Sequence, residues 1–322
     1  VEEWILQPNG LPQKRRTLLN LRRPFSNHNG VNSLNFSPET GKLVLTTGDG
    51  GSGYDPFNLA QDDMEIAGKI IEIDTAKNEF MNEPPVVSRF NELPVSIQDT
   101  LTVMAKGVRN IPGISYQSAY QQYIKYTGQV GQDLAESIFS FVHYQPIPVT
   151  ELVQNRGAHQ NNYFNFGWRG WEGDFPTSTV EDCSTDSNLN DITMAYYNEV
   201  IDTSVRRLQP LTQYYHIDPR QDRFAGTALT GVQPYMGTDI PALTGSVVFT
   251  DIAWRGESPA RGVLAYTRVR PDYKLNDYSV IETDYDFGDR DAHYVSLGTN
   301  LDQTTLYLGV HGSMQVTDYH QG

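Results

Sequence analysis

The chain carries one cysteine, Cys183, in 322 residues, so it has neither an intrachain disulfide nor a thiolate metal site. Basic residues are scarce as well: 24 Lys and Arg stand against 39 Asp and Glu, a net charge of −15. Phosphate binding needs a basic surface, so nucleic acid is not expected as a partner. The acidity suits calcium, although an acidic surface more often serves solubility. No apolar run is long enough to span a bilayer. Ala- and Leu-rich stretches of helical period are also missing. The chain begins at Val1 without a charged-then-apolar targeting segment, and it is expected to be a mature or partial piece of a longer product. One cysteine leaves the compartment open.

What the chain has in quantity is turn chemistry. With 27 Gly, 18 Pro and 19 Tyr, short strands punctuated by turns are the expected unit. Strand-like runs lie at 3–6, 16–21, 34–45 (two strands about a turn carrying Pro38 and Gly41) and 67–74. They recur at 105–116, 126–138, 214–216, 227–235, 245–250, 262–269, 278–283 and 305–310. Residues 75–103, with at most one short strand, and 174–200 read as long loops. Many short strands and no helix of ordinary length mean an all-β protein. Sandwich and barrel remain open, but the length and the Gly-punctuated recurrence favour a β-propeller of four-stranded blades, forming one domain over residues 1–322.

The densest cluster of chemistry is Ser26-Asn27-His28-Asn29-Gly30, followed after a hairpin by Thr47-Gly48-Asp49-Gly50-Gly51-Ser52-Gly53. An antiparallel hairpin over 34–45 returns the chain so that His28 and Asp49 become neighbours. A carboxylate beside an imidazole fixes its tautomer and raises its basicity, the arrangement of a general base. On spacing alone the plainer alternative stands beside it: His28 ends a strand and Asp49 opens a Gly-rich turn. The run at 49–53 lacks the lysine and following helix of a phosphate loop. Trp168 and Trp171 read as packing. His143, His159, His216, His293, His311 and His320 show no close metal-ligand spacing and are assigned no role.

A family resemblance adds to this reading. Pro24-Phe25-Ser26-Asn27-His28-Asn29-Gly30, Thr47-Gly48-Asp49-Gly50-Gly51 and Gly68-Lys69-Ile70-Ile71-Glu72-Ile73-Asp74 stand in the order seen in the glucose/sorbosone dehydrogenase family. Gly107-Val108-Arg109-Asn110-Ile111-Pro112-Gly113, Val130-Gly131-Gln132-Asp133 with Glu136, Asn165-Phe166-Gly167-Trp168 and Val248-Phe249-Thr250-Asp251 continue the match. The chain thus resembles the soluble quinoprotein sugar dehydrogenases and the hedgehog-interacting-protein-like propellers grouped with them. The resemblance implies a six-bladed β-propeller, incomplete at both ends of this chain, and secretion to a periplasm or the extracellular space. It further implies pyrroloquinoline quinone and calcium as cofactors, with a sugar substrate and an external electron acceptor. By the same resemblance His28 is the base, Asp49 its orienter, and Arg109 and Asn110 contact the cofactor. Gly131 and Gln132 match the calcium-holding turn. Glu136 is a solvated charge or a calcium ligand.

The chain departs from the family pattern in three places. A stretch before Val1, with an active-site glutamine, and a closing strand after His320 are both expected of the enzymes. A late lysine and arginine pair is also expected, and only Arg255, Arg261, Arg290 and His293 stand near those positions. Two readings follow: an aldose dehydrogenase, or a non-catalytic propeller whose partners are proteins within a larger extracellular assembly.

Overall fold

The computed structural model describes residues 1–22, 28, 30–77, 83–142, 146–155, 163–177, 207–218, 220, 223–268, 275–283 and 287–312. The chain forms two compact units. The first takes Val1–Ile111, Ser118–Tyr123 and Val142–Gln209; the second takes Pro112–Gln117, Ile124–Phe141 and Pro210–Gly322.

In the first unit β1 (Glu2–Leu6) and β2 (Pro12–Thr17) form a hairpin. The main sheet runs antiparallel through β4 (Val31–Phe36), β5 (Leu43–Thr47), β6 (Ile70–Ile73) and β8 (Leu101–Lys106). Two-residue strands β3 (Asn20–Leu21) and β7 (Val86–Val87) pair in parallel outside it. The sheet fits its sequence: β5 reads Leu-Val-Leu-Thr-Thr and is buried throughout, as a strand covered on both faces must be. Its core joins Leu43, Leu45, Ile71, Ile73, Leu101 and Val103.

The 75–103 stretch differs from the expected surface loop. It holds β7, a 3₁₀ turn at Phe90–Glu92 and the one-turn helix α1 (Val95–Gln98) before β8 begins. Phe90, Leu93 and Ile97 are buried in the core of the unit. Pro and Asn masked that apolar spacing, because three hydrophobic anchors scattered among turn residues show neither strand nor helix period. The loop expected at 174–200 lies almost wholly outside the described residues.

In the second unit β9 (Ile114–Ala119), β10 (Gln122–Gln129) and β11 (Ala135–Val142), whose outer tips belong to the first, are joined by β16 (Thr212–Tyr215) in the order β16-β11-β10-β9. Returning to the first unit, β12 (Ile147–Pro148), α2 (Val149–Gln154) and β13 (Phe164–Asn165) widen the main sheet beyond four strands, both strands pairing with β8. A small hairpin, β14 (Trp171–Glu172) and β15 (Phe175–Pro176), follows. The second four-stranded antiparallel sheet of the second unit is β17 (Leu229–Tyr235), β18 (Ser246–Asp251), β19 (Val263–Arg268) and β20 (Tyr278–Val280). It is followed by the hairpin β21 (His293–Thr299) and β22 (Leu306–His311).

Aromatic rings fill this unit's core. Tyr214 lies 4.6 Å from Phe224 and 5.5 Å from Phe249 between ring centroids, a spacing at which rings gain more than their buried area alone provides. The fold is mostly β, built on four-stranded antiparallel sheets. Among the described residues no helix is long and apolar enough to cross a membrane.

Candidate active site

The site begins with the β4–β5 hairpin. Its register pairs Phe36 with Leu43 at the turn and Val31 with Thr47 at the open end, so the residues just beyond that end, His28 and Asp49, are brought side by side. Gly48 permits the approach, since a Cβ there would collide with the His28 carbonyl oxygen.

His28 Nδ1 lies 3.8 Å from Asp49 Oδ1, beyond hydrogen-bond reach. The nitrogen is shut off from solvent and has no hydrogen-bond partner among the described residues. Burial, and then the charge of Arg109, hold the imidazole down to a pKa of about 4, so it is neutral at pH 7. Asp49 is fully buried. Its Oδ1 accepts the Gly51 N–H at 3.0 Å and its Oδ2 accepts the Trp168 indole N–H at 2.9 Å. Burial pushes its carboxyl up to about 7, against the pull of those donors and of Arg109. The two side chains therefore face each other as a neutral imidazole and a carboxyl near half-ionisation, not as an ion pair.

Arg109 and Trp168 close the cluster. The Asp49 N–H donates to the Arg109 carbonyl at 3.0 Å, and the Arg109 guanidinium sits 5.4 Å from the Trp168 ring centroid. Tyr54 stacks on Trp168 at 6.1 Å with planes 19° apart. Asn110, next in the chain, is half-buried. Trp168 was expected to be packing only. The signal that it is more lay in the chemistry of indole: a buried N–H seeks an acceptor, and here the acceptor is Asp49. Its loop is held by a reciprocal amide pair, Gln61 Nε2 to Asn165 Oδ1 at 3.0 Å and Asn165 Nδ2 to Gln61 Oε1 at 2.8 Å.

Beneath the cluster the 55–69 segment is tied by charge. Asp55 accepts the N–H groups of Leu59 at 2.9 Å and Ala60 at 2.8 Å. The fully buried Lys69 ammonium donates to the carbonyls of Leu59 (3.1 Å), Ala60 (3.1 Å) and Ala67 (2.8 Å). Burial lowers its pKa to about 8.

The remaining sequence candidates lie in the second unit. Gly131, buried, and Gln132, half-buried, occupy the turn between β10 and β11. Glu136 is not a solvated charge: it is fully buried on β11. Its Oε1 lies 2.8 Å from His216 Nε2, and its Oε2 accepts the Leu229 N–H at 3.0 Å. His216 also donates its backbone N–H to the Leu134 carbonyl at 3.0 Å, which pins the end of the 131–134 turn. The late cations serve the backbone: Arg255 Nε donates to the Gly226 carbonyl at 2.8 Å, and Arg261 to the carbonyls of Ala260 at 3.0 Å and Arg290 at 2.6 Å. Among the described residues no group of three or more His, Cys, Asp and Glu is placed to hold a metal.

No protein-family model matches the chain. It is 25% identical over 272 residues to the HIPL1 protein of Arabidopsis thaliana, covering 79% of this chain and 36% of that protein. It is 27% identical over 192 residues to the HIPL2 protein of the same plant, covering 56% of this chain and 24% of that one. The chain thus spans about a third and a quarter of the lengths of these relatives. Among solved structures, a glucose dehydrogenase superposes with a TM-score of 0.51 at 14% identity, covering 96% of this chain and 69% of that one. The fold is that of a glucose dehydrogenase. Distant homology to the HIPL proteins accompanies it, and the resemblance to the glucose/sorbosone dehydrogenase family stands on both.

Proposed function

We propose that the chain belongs to a quinoprotein aldose dehydrogenase, built as a six-bladed β-propeller and acting outside the cytoplasm. The observation that carries the reading is the convergence of His28, Asp49, Arg109 and Trp168 in one buried cluster. Oxidation of an aldose at C1 removes a hydride from carbon and a proton from the hydroxyl. Pyrroloquinoline quinone with calcium would supply the hydride acceptor, a chemistry that no side chain offers.

The residues present fit such a group on one side. The buried Arg109, beside His28 and Asp49, brings a cation suited to carboxylate and quinone oxygens. Arg109 and Asn110 would hold the cofactor. Gly131 and Gln132 of the β10–β11 turn would hold calcium, which takes hard oxygen ligands, main-chain carbonyls among them.

His28 is neutral at pH 7 and can accept the hydroxyl proton. Its low pKa makes it a weak base until a charge balances the imidazolium. Asp49 is that charge: loss of the carboxyl proton and closure of the 3.8 Å gap would stabilise the protonated ring. Catalytic hydrogen bonds that are long in a free enzyme commonly tighten when substrate binds. Trp168 and Gly51 fix the carboxyl so that the imidazole makes the movement.

A second reading is favoured by one observation: Arg255 and Arg261, near the expected cofactor-gripping positions, are spent on backbone carbonyls. A propeller whose described late arginines are committed to its own backbone would be kept for binding other proteins. The test is reconstitution of the full-length protein with calcium and pyrroloquinoline quinone, following reduction of an acceptor dye across a panel of aldoses. Turnover that drops at least about 10²-fold in His28→Ala supports the dehydrogenase. Absence of both cofactor binding and turnover leaves the protein-binding propeller.

A further inference from the structure

The β21–β22 hairpin carries two histidines that stand 18 residues apart in the chain, His293 and His311. The antiparallel register sets them directly opposite each other, and residues paired in this way project from the same face of the sheet. Their rings lie 6.5 Å apart between centroids with planes 36° apart. His293 Nδ1 is shielded from solvent and has no hydrogen-bond partner among the described residues. In the tautomer that leaves this nitrogen bare, it can take up a proton donor or ligate a metal ion.

We propose that His293 and His311 form a site for one divalent transition-metal ion, Cu²⁺ foremost, independent of the dehydrogenase reading. Two imidazoles sharing an ion at a metal–nitrogen distance of about 2.0–2.1 Å have ring centres roughly 4.5 Å apart at a right angle about the ion, rising to about 6.4 Å when they lie opposite each other. The observed spacing sits at the upper end of that range, within reach of a small side-chain adjustment. Imidazole selects Cu²⁺, Ni²⁺ and Zn²⁺ over calcium and magnesium, and the general order of affinity places Cu²⁺ first. The net charge of −15 raises the local concentration of any divalent cation. With two protein ligands and no third among the described residues, water completes the coordination, so binding is exchangeable rather than structural. His311 is exposed, which gives the ion a path in.

The experiment is a titration of the whole chain with CuSO₄ in a non-chelating buffer. It is read by calorimetry and by electron paramagnetic resonance, with ZnSO₄ as a second series. Wild type is expected to bind one Cu²⁺ with a nitrogen-coordinated spectrum, and Zn²⁺ more weakly. His311→Ala, at an exposed position, keeps the fold and weakens Cu²⁺ at least about tenfold; His293→Gln does the same. Tyr307→Phe, at an exposed position on the same strand, leaves it unchanged. Cu²⁺ affinity equal in wild type and in both histidine variants, or a spectrum without two imidazole nitrogens, overturns the site.

Discussion

Asp49 and His28 respond to pH in opposite directions, and this separates them experimentally. The folded pKa of Asp49, about 7, lies above its ordinary 3.8, so the folded state holds the extra proton. Its contribution to stability is complete below about pH 4 and is lost as pH rises to 7. His28 is lowered from 6.5 to about 4; its contribution is complete above pH 6.5 and is lost as pH falls toward 4. Unfolding free energies of Asp49→Asn, measured in urea, should therefore gain on wild type by about 2–4 kcal/mol between pH 4 and 7. Those of His28→Gln should gain as pH falls from 6.5 to 4. Parallel pH curves for variant and wild type would refute the assignment.

Trp168 permits a second test at the same scale. Trp168→Phe keeps a ring over Arg109 but removes the indole donor to Asp49. A loss of about 2–4 kcal/mol is expected from the smaller ring and the missing hydrogen bond. The pH window of Asp49 should also move upward, because one of the donors that stabilise its ionised form is gone. A loss of stability with no movement of that window would make Trp168 a packing residue after all.

At the scale of elements, the 60–68 segment is fixed where backbones touch. Gly68 has φ +67°, and a Cβ there would run into the Ala60 backbone and side chain. Gly41, in the β4–β5 turn, has φ +70° with nothing near. Both backbones disfavour a side chain equally, so the pair separates strain from collision. Gly41→Ala should cost about 1 kcal/mol and Gly68→Ala at least about 3 kcal/mol, measured by chemical unfolding. Equal costs would show that the contact at Ala60 yields freely.

The strands show why some of this was readable in advance. The β4–β5 hairpin announced itself through alternation and a Pro/Gly turn, and its register alone placed His28 beside Asp49. β21 escaped notice because Ala292-His293-Tyr294-Val295-Ser296 has little apolar alternation; its pairing comes from tertiary context. The Asp49–Trp168 bond was invisible for another reason, since 119 residues of chain separate the partners and no local period relates them. For Glu136, left open as a solvated charge or a calcium ligand, the solvated alternative falls away: the carboxylate is buried because His216 and the Leu229 N–H, both distant in sequence, receive it.

At the scale of the whole chain, acidity dominates. A net charge of −15 opposes compaction by self-repulsion, and buried carboxyls such as Asp251, also raised to about 7 by burial, add to the cost of ionisation near neutrality. Raising NaCl from 0.02 to about 0.5 M screens the exposed charges, so the thermal midpoint at pH 7.5 should rise by several degrees, and by less at pH 5. A midpoint indifferent to salt at both values would mean that the surface charges are already locally balanced.

The three carbonyls around Lys69 hold an ammonium where other proteins would recruit an inorganic cation. That cation is covalently tethered and cannot be chelated. The bed beneath Asp49 should therefore keep its shape in excess EDTA, so any sensitivity to chelators would report on ions bound elsewhere in the protein and not on the scaffold of its proposed base.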